Sequence, residues 1–502
     1  RAVALDPAAA AAQLNLGNAL AEAGRTEEAM AAWRASIAAA PGRRDARLNL
    51  ARALLAADAP DEAAAQYEAA RRATPEDDTL DGEYGAALAR AGRTADAVAV
   101  LRRALIAAPD SPALVVNLGN TLCMAGKPRD AVPLFEKAAA LDPDCADTRA
   151  NLGHALKQAG DLGAAAVAYD RALMRAPDHR EALFGRGTCR LLAGDFTGGW
   201  QDYRARDSMA GAGAGPAFHR APLPADLSGR RVLVLPDQGI GDELFFLRFL
   251  PALATRGAEI ACRPDPRLRA MLERARICRI LDADAPGESY DFTVAVGDLP
   301  AVLGSTATPP SVALDALPDR EAALRERLTA FGPPPWIGVT WRAGTRNRQN
   351  LLFKESPAAM LADALRPLDA RVVVLQRAPD EGEVEAFSAA LGRAVLDLSE
   401  LNADIEDMLG LVGLLTGHVC VSNTNVHLAA ARRRVCRILV PNPPEFRWMA
   451  SGDVSPWFPA MPVYRQDADG DWTGAFARLR ADLEDTAPDI TVGHNRPRKD
   501  IP

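Results

Sequence analysis

Several signatures are missing from this chain of 502 residues. Its seven cysteines, Cys123, Cys145, Cys189, Cys262, Cys278, Cys420 and Cys436, contain no CxxC pair. An odd, scattered set reads as buried free thiols in a reducing compartment, which points to the cytoplasm and away from a disulfide or zinc framework. Six histidines supply no HExxH or other ligand cluster, so no metal is expected. No apolar run reaches the ~18 residues that a transmembrane helix needs. A net charge of −8 leaves no electrostatic footprint for nucleic acid or an anionic membrane. The chain opens at Arg1 in what reads as the end of a repeat, so a removed leader stays open. The length is too great for one core and suggests about three domains.

The most conspicuous feature present is a repeat. Prolines stand at Pro7, Pro41, Pro75, Pro109, Pro143 and Pro177, each 34 residues from the last. Asn15-Leu16, Asn49-Leu50, Asn117-Leu118 and Asn151-Leu152 keep the same period. Gly24, Gly92, Gly126, Gly160 and Gly194 mark the turn inside each unit, with Asp58 once in place of glycine. This self-similarity, in NLGNALAEAGRTEEAMAAWRASIAAAP for example, resembles the tetratricopeptide repeat, in which small residues let two helices approach. About six units over 1–206 are expected to stack into an α-solenoid with a concave face. The last, GDFTGGWQDYRAR, carries Trp200 and Tyr203 and is expected to cap the array and pack on the C-terminal half. The asparagines are equally suited to holding a partner and to packing between helices.

A Gly-, Ala- and Pro-rich connector spans 207–229, and beyond it short apolar strands alternate with helical stretches. Such alternation implies parallel sheets covered on both faces. FGPPPW (Phe331 to Trp336) interrupts the pattern and divides it into domains over 230–331 and 332–485, followed by a tail over 486–502. In VLVLPDQGIGDELFFLRFLP (Val232 to Pro251), a buried strand runs through a two-glycine turn into a helix, where N–H groups face outward. GIGD matches neither GxGxxG nor a Walker loop, so an ordinary strand-to-helix turn explains it as well.

Four segments give the resemblance of the second half. PDQGIGDELFFLRFLP, WIGVTWRAGTRNRQNLLFKESPAAML, VCVSNTNVHLAAA and PNPPEFRWMASGDVSPWFPAMPVYRQ resemble glycosyltransferase family 9, the heptosyltransferase-like group, in its repeat-bearing bacterial members. The resemblance implies α + α/β architecture: a tetratricopeptide solenoid, then a GT-B transferase of two Rossmann-like domains. It implies inverting, metal-independent hexosyl or heptosyl transfer from a nucleotide sugar to a glycan or protein acceptor engaged by the repeats.

Residue by residue, Asp242 matches the catalytic base of the family's Gly-Asp motif, although a carboxylate there also suits a helix cap. Gly239 and Gly241 would admit the acceptor. Ser422, Asn423, Thr424 and His427 match the diphosphate turn, where helix N–H groups suit phosphate. Lys354 falls where the family places a cation, with Arg342 or Arg346 assisting, and Gln376 ends a strand as a nucleotide contact. Asp282-Ala283-Asp284 reads as a polar turn. Two departures stand out: Asn423 replaces the usual aspartate, and Arg432, Arg433 and Arg434 replace a small, glycine-containing segment. Asparagine keeps the hydrogen-bonding shape, and either change also fits altered donor preference or lost activity. Asn423 favours an alternative, a scaffold whose degenerate domain binds nucleotide without turnover, and intact Asp242 counts against it. A protein O-GlcNAc transferase shares the domain order, but its motifs are missing from the second half.

Overall fold

The computed structural model describes residues 9–73, 80–206, 218–282, 289–344 and 354–485. Pro7, Pro75, Arg346, Asp284, residues 207–217 of the connector and the tail lie outside them. Contacts divide the chain into two units, 1–177 and 178–502.

The first unit is a series of paired helices: α1 (Ala10–Glu22) with α2 (Thr26–Ala39), α3 (Arg44–Ala56) with α4 (Pro60–Ala73), α5 (Asp81–Arg90) with α6 (Thr94–Ala107), α7 (Pro112–Met124) with α8 (Pro128–Leu141), and α9 (Ala146–Gln158) with α10 (Leu162–Leu173). The turn glycines adopt φ from 71° to 88° at Gly24, Gly92, Gly126 and Gly160, and Asp58 is held at 57° in the same left-handed region. A second glycine series works by close approach. A Cβ on Gly17 would lie 2.5 Å from Trp33, one on Gly85 2.5 Å from Leu101, one on Gly119 2.7 Å from Phe135 and one on Gly153 2.8 Å from Tyr169. Each glycine faces the large side chain sixteen positions later, so the pair seats one helix on the next. Gly119→Ala is expected to cost about 1–3 kcal/mol, read as a lower urea midpoint, because Phe135 is fully buried and cannot swing aside. Of the asparagines, Asn49 donates to Asn18 Oδ1 at 2.8 Å and Asn117 to the Gly82 carbonyl at 3.4 Å. These two serve packing between repeats.

The second unit begins with the last helix pair, α11 (Arg180–Leu192) and α12 (Phe196–Tyr203). The division by contact thus falls at 177, ahead of the last helix pair. Gly187 explains the tight pairing, since a Cβ there would meet the Tyr203 backbone at 2.8 Å.

A four-stranded parallel sheet comes next, ordered β3-β2-β1-β4 from β1 (Arg231–Leu235), β2 (Glu259–Cys262), β3 (Arg279–Ile280) and β4 (Phe292–Ala295). The helical run after β1 is broken into α13 (Ile240–Phe246), a 3₁₀ turn, and α14 (Leu250–Thr255), with α15 (Arg269–Ala275) and α16 (Leu299–Val302) beyond. Helix α17 (Pro318–Phe331) has no apolar stripe strong enough to read from sequence. It lies on the second sheet's helical layer: Leu324 is 3.1 Å from where a Cβ on Gly410 would stand, and Arg320 pairs with Asp404 and Asp407 at 2.6 and 2.9 Å. By packing, then, the division between the sheets precedes α17 rather than coming after it.

The second sheet has seven strands ordered β10-β11-β9-β8-β5-β6-β7. Its members are β5 (Trp336–Thr340), β6 (Arg371–Val374), β7 (Leu396–Asp397), β8 (Gly417–Val421), β9 (Cys436–Val440), β10 (Val454–Ser455) and β11 (Phe458–Arg465). All neighbours are parallel except β10 and β11. Helices α18 (Ala358–Leu365), α19 (Glu383–Leu391), α20 (Ile405–Leu414), α21 (Thr424–Ala431) and α22 (Thr473–Asp485) complete the unit. Strand order reverses beside β1 in the first sheet and between β5 and β8 in the second. Crevices at the carboxyl ends of such strands are where open parallel sheets receive ligands.

Candidate functional site

The turn after β1 and the turn after β8 meet. A Cβ on Gly241 would lie 3.4 Å from Thr424 Oγ1 and 3.5 Å from the His427 ring, so α13 and α21 come within ordinary van der Waals reach of one another here. Gly239 precedes α13 in extended conformation, and its carbonyl accepts from the Asp242 and Glu243 N–H groups at 2.9 and 3.0 Å. Asp242 is in the first turn of α13, but its side chain is not a cap. Its Oδ1 accepts from the Arg447 guanidinium. Asp242 is 31 % exposed and Arg447 only 7 %, so a reachable carboxylate rests on a buried cation.

Arg447 was not singled out from sequence, and neither was Glu445, the centre of the donor-side cluster. Ser422 Oγ donates to Glu445 Oε1 at 2.6 Å, Lys354 Nζ reaches Oε2 at 2.5 Å, and Arg447 lies 3.5 Å from Oε1. Burial opposes charge on Glu445, yet Lys354 and Arg447 outweigh it and hold its carboxyl far below the ordinary range. Arg447 also lies against two rings, 4.6 Å from the Phe245 centroid and 4.8 Å from that of Phe446. The chain Asp242–Arg447–Glu445–Lys354 thus links the loop after β1 to the loops after β5 and β9. The only sequence signal was position: Glu445 and Arg447 stand in the PNPPEFRW segment, whose polar residues had no assigned task.

At the start of α21, Asn423 Oδ1 accepts from the Asn425 N–H at 2.9 Å and caps the helix. An asparagine oxygen does this as an aspartate would, which accounts for the first departure from the family pattern. Its Nδ2 is buried without a partner among the described residues, as is His427 Nδ1. His427 is 6 % exposed. Burial, and then the cations Arg447 and Arg248, push its pKa well below the ordinary histidine value, so it is a neutral imidazole. Two unsatisfied buried polar atoms flank one helix N-terminus, and a polar ligand would supply the partner each lacks.

Two sequence candidates have other employment. Gln376 is fully buried, and its amide bridges main chain: Oε1 accepts from the Arg342 N–H at 3.0 Å, and Nε2 donates to the Arg342 and Arg377 carbonyls at 2.9 and 3.2 Å. It ties β5 to β6 instead of facing a nucleotide. Arg342, 4 % exposed, is bound to Glu383 at 2.8 Å. Arg432 donates to Glu321 at 2.8 Å and holds α17 against α21, and Arg433 takes φ 55° to end the helix. The arginine run is therefore architectural. Asp282 pairs with Arg269, and no metal-like grouping surrounds it among the described residues.

The last helix pair reaches the same loops. Arg206, 3 % exposed, donates to Asp237 at 2.7 Å and to Asp298 at 2.6 Å, pinning the ends of β1 and β4 together. Tyr203 donates to Gln238 Oε1 at 3.1 Å. Trp200 is 2 % exposed and packs edge-on against Phe246, Phe249, Phe446 and Trp457, with centroids 5.5–6.3 Å away.

Glu243, beside the candidate base, is 3 % exposed, and its carboxylate accepts the Asp265 N–H at 3.2 and 3.3 Å. Burial raises its pKa to about 7. An unfolded glutamate ionises near pH 4.5. Between those values the unfolded chain has released a proton that the folded chain keeps, so stability falls as pH rises. Glu243→Gln removes that loss. Relative to wild type it is expected to be about 2–3 kcal/mol more stable at pH 8 than the same comparison gives at pH 4.5, measured by urea unfolding.

Comparison with known proteins supports the repeats. Residues 1–44 and 48–112 match one tetratricopeptide-repeat family model, and residues 122–183 match a second. Protein FlbA of Caulobacter vibrioides is 26% identical over 335 residues, covering 61% of this chain and 55% of FlbA. That span exceeds the repeats and enters the α/β part, while the chain spans about half the length of this curated relative. Among solved structures, YrrB, described as a TPR protein with an unusual peptide-binding site, is 23% identical, covering 37% of this chain and 95% of YrrB with a TM-score of 0.32. PilF of Pseudomonas aeruginosa is 21% identical over 39% of this chain and 88% of its own, with a TM-score of 0.33. Both are similar to little more than a third of the chain and carry no argument about activity. The repeats are a fold that serves protein interaction. No helix among the described residues is long and apolar enough to cross a membrane.

Proposed function

We propose that the second unit transfers a sugar from a nucleotide-sugar donor to a glycan or protein acceptor with inversion, and that the repeats of the first unit engage the acceptor or a partner protein in the cytoplasm. The carrying observation is the meeting of two strand-end turns, Gly239–Asp242 and Ser422–His427, with an ion chain between them. The acceptor hydroxyl gives its proton to Asp242 as its oxygen attacks the anomeric carbon, and the bond from that carbon to the diphosphate breaks. The leaving charge is met by the α21 N-terminus, Asn423 Nδ2, Lys354 and Arg447, which take the neutralising role without a metal. Two parallel sheets with facing carboxyl ends suit the GT-B arrangement expected from sequence.

The test is nucleotide release from a panel of nucleotide sugars, with cell lysate as acceptor. One donor turned over, and turned over faster with lysate than without, is the expected result. Binding of a nucleoside diphosphate with no turnover of any donor would instead establish a nucleotide-binding scaffold. That alternative has one observation in its favour: Ser422 and Lys354 are already occupied by Glu445.

A further inference from the structure

Beneath the turn after β8 lies a cluster the proposed transfer does not use. His418 and Cys420 alternate along β8 on one face, and Cys436 stands directly opposite His418 on parallel β9. Their donor atoms lie within 4.8 Å of one another, and the residues are 2 %, 0 % and 0 % exposed. Sequence spacing hid this, because one pair is two residues apart on a strand and the third residue comes from the next strand.

The hydrogen bonds accommodate a histidine protonated on Nε2. Thr340 Oγ1 donates to the Leu375 carbonyl at 3.3 Å, so toward His418 Nε2, also at 3.3 Å, it accepts. With the ring proton on Nε2, the lone pair of Nδ1 faces Cys436 Sγ, 3.8 Å away. Two donors bound to one ion at about 2.3 Å (sulfur) and about 2.05 Å (nitrogen), some 120° apart, are separated by about 3.8 Å. A ring nitrogen aimed at the ion, with its other N–H held by an outer hydroxyl, is the usual arrangement of a metal-bound histidine.

We infer that His418, Cys420 and Cys436 form a buried three-ligand site for one thiophilic d¹⁰ cation, Zn(II) or Cu(I), that staples β8 to β9. Two thiolates and a neutral imidazole suit such ions, and with Zn(II) the group is electrically neutral, as a fully buried site requires. The complete burial of all three ligands makes the ion structural, two residues before Ser422 and apart from the transfer chemistry. Binding replaces two thiol protons with the ion, and nothing is oxidised.

The experiment uses the full chain, unfolded in reductant and refolded with Zn(II), with Cu(I) under anaerobic conditions, or with Co(II), then dialysed. Elemental analysis is expected to find about one ion per chain, and Co(II) to show thiolate charge-transfer absorption. Cys420→Ser and Cys436→Ser should abolish retention, Thr340→Val should weaken it about 10–100-fold, and Cys262→Ser should leave it intact. Refolded wild type that retains no ion and shows no Co(II) band overturns the site, and so does full retention by both serine variants. If the serine variants do not refold, the wild-type Co(II) band alone decides. Preference between the Zn(II) and Cu(I) arms identifies the ion.

Discussion

Asp242→Asn should lower nucleotide release by about 10²–10⁴-fold while nucleoside diphosphate still binds, because only proton transfer is removed. Asparagine keeps the shape of the side chain and can still accept from Arg447, so α13 keeps its tie to that residue. The informative comparison is turnover against binding: Asp242→Asn should reduce kcat with little change in donor affinity, whereas Lys354→Ala should weaken donor affinity. Arg447 is only 7 % exposed and retains Glu445 as a counter-charge, so the substitution does not strand it. Full activity in Asp242→Asn would remove Asp242 as the base. Equal loss of turnover and of binding would reassign it to holding Arg447 in place.

A chain starting at Asp178 is expected to fold cooperatively, and one starting at residue 207 is expected to aggregate. The cut at 207 removes Trp200 from among four buried rings and removes Arg206 from between Asp237 and Asp298. Asp298 is fully buried, and without Arg206 its charge loses its partner. The point substitutions separate the two contributions. Trp200→Ala should cost about 3–5 kcal/mol through lost packing. Arg206→Ala should cost about 3–5 kcal/mol by leaving buried carboxylates unpaired. Both are read from urea unfolding of 178–502. Equal stability of the 178–502 and 207–502 chains would show that the last helix pair is a dispensable cap. Because Arg206 binds Asp237 two residues before Gly239, loosening it should also lower nucleotide release at temperatures where the protein stays folded.

The repeat was legible in the sequence because its causes are local. A left-handed turn needs glycine, a helix stops before proline, and a tight crossing needs a small residue opposite a large one, so each unit carries its own instructions at a 34-residue period. Strand β1 was legible for the same reason: a short apolar run bounded by turn residues reads as a buried strand. The asparagine of the second turn was recognisable because a helix cap demands a particular kind of side chain, and the glycines of the first because they stand where a buried strand passes into a helix. Helix α17 was hidden, since its few buried residues, Leu324 and Leu328, are too sparse for a stripe. The polar network was hidden more deeply. Gln376, Lys354, Glu445, Arg447 and the His418–Cys420–Cys436 group are given their partners by chain crossovers, and charge or ligand type in a sequence does not name its counterpart. The sequence alone determined a repeat array joined to wound parallel sheets and the turns that carry candidate chemistry. Only the tertiary structure decided which buried partners fasten the last helix pair to the sheets and that Asp242 rests on Arg447, because both depend on contacts between residues far apart in the chain and buried from water together.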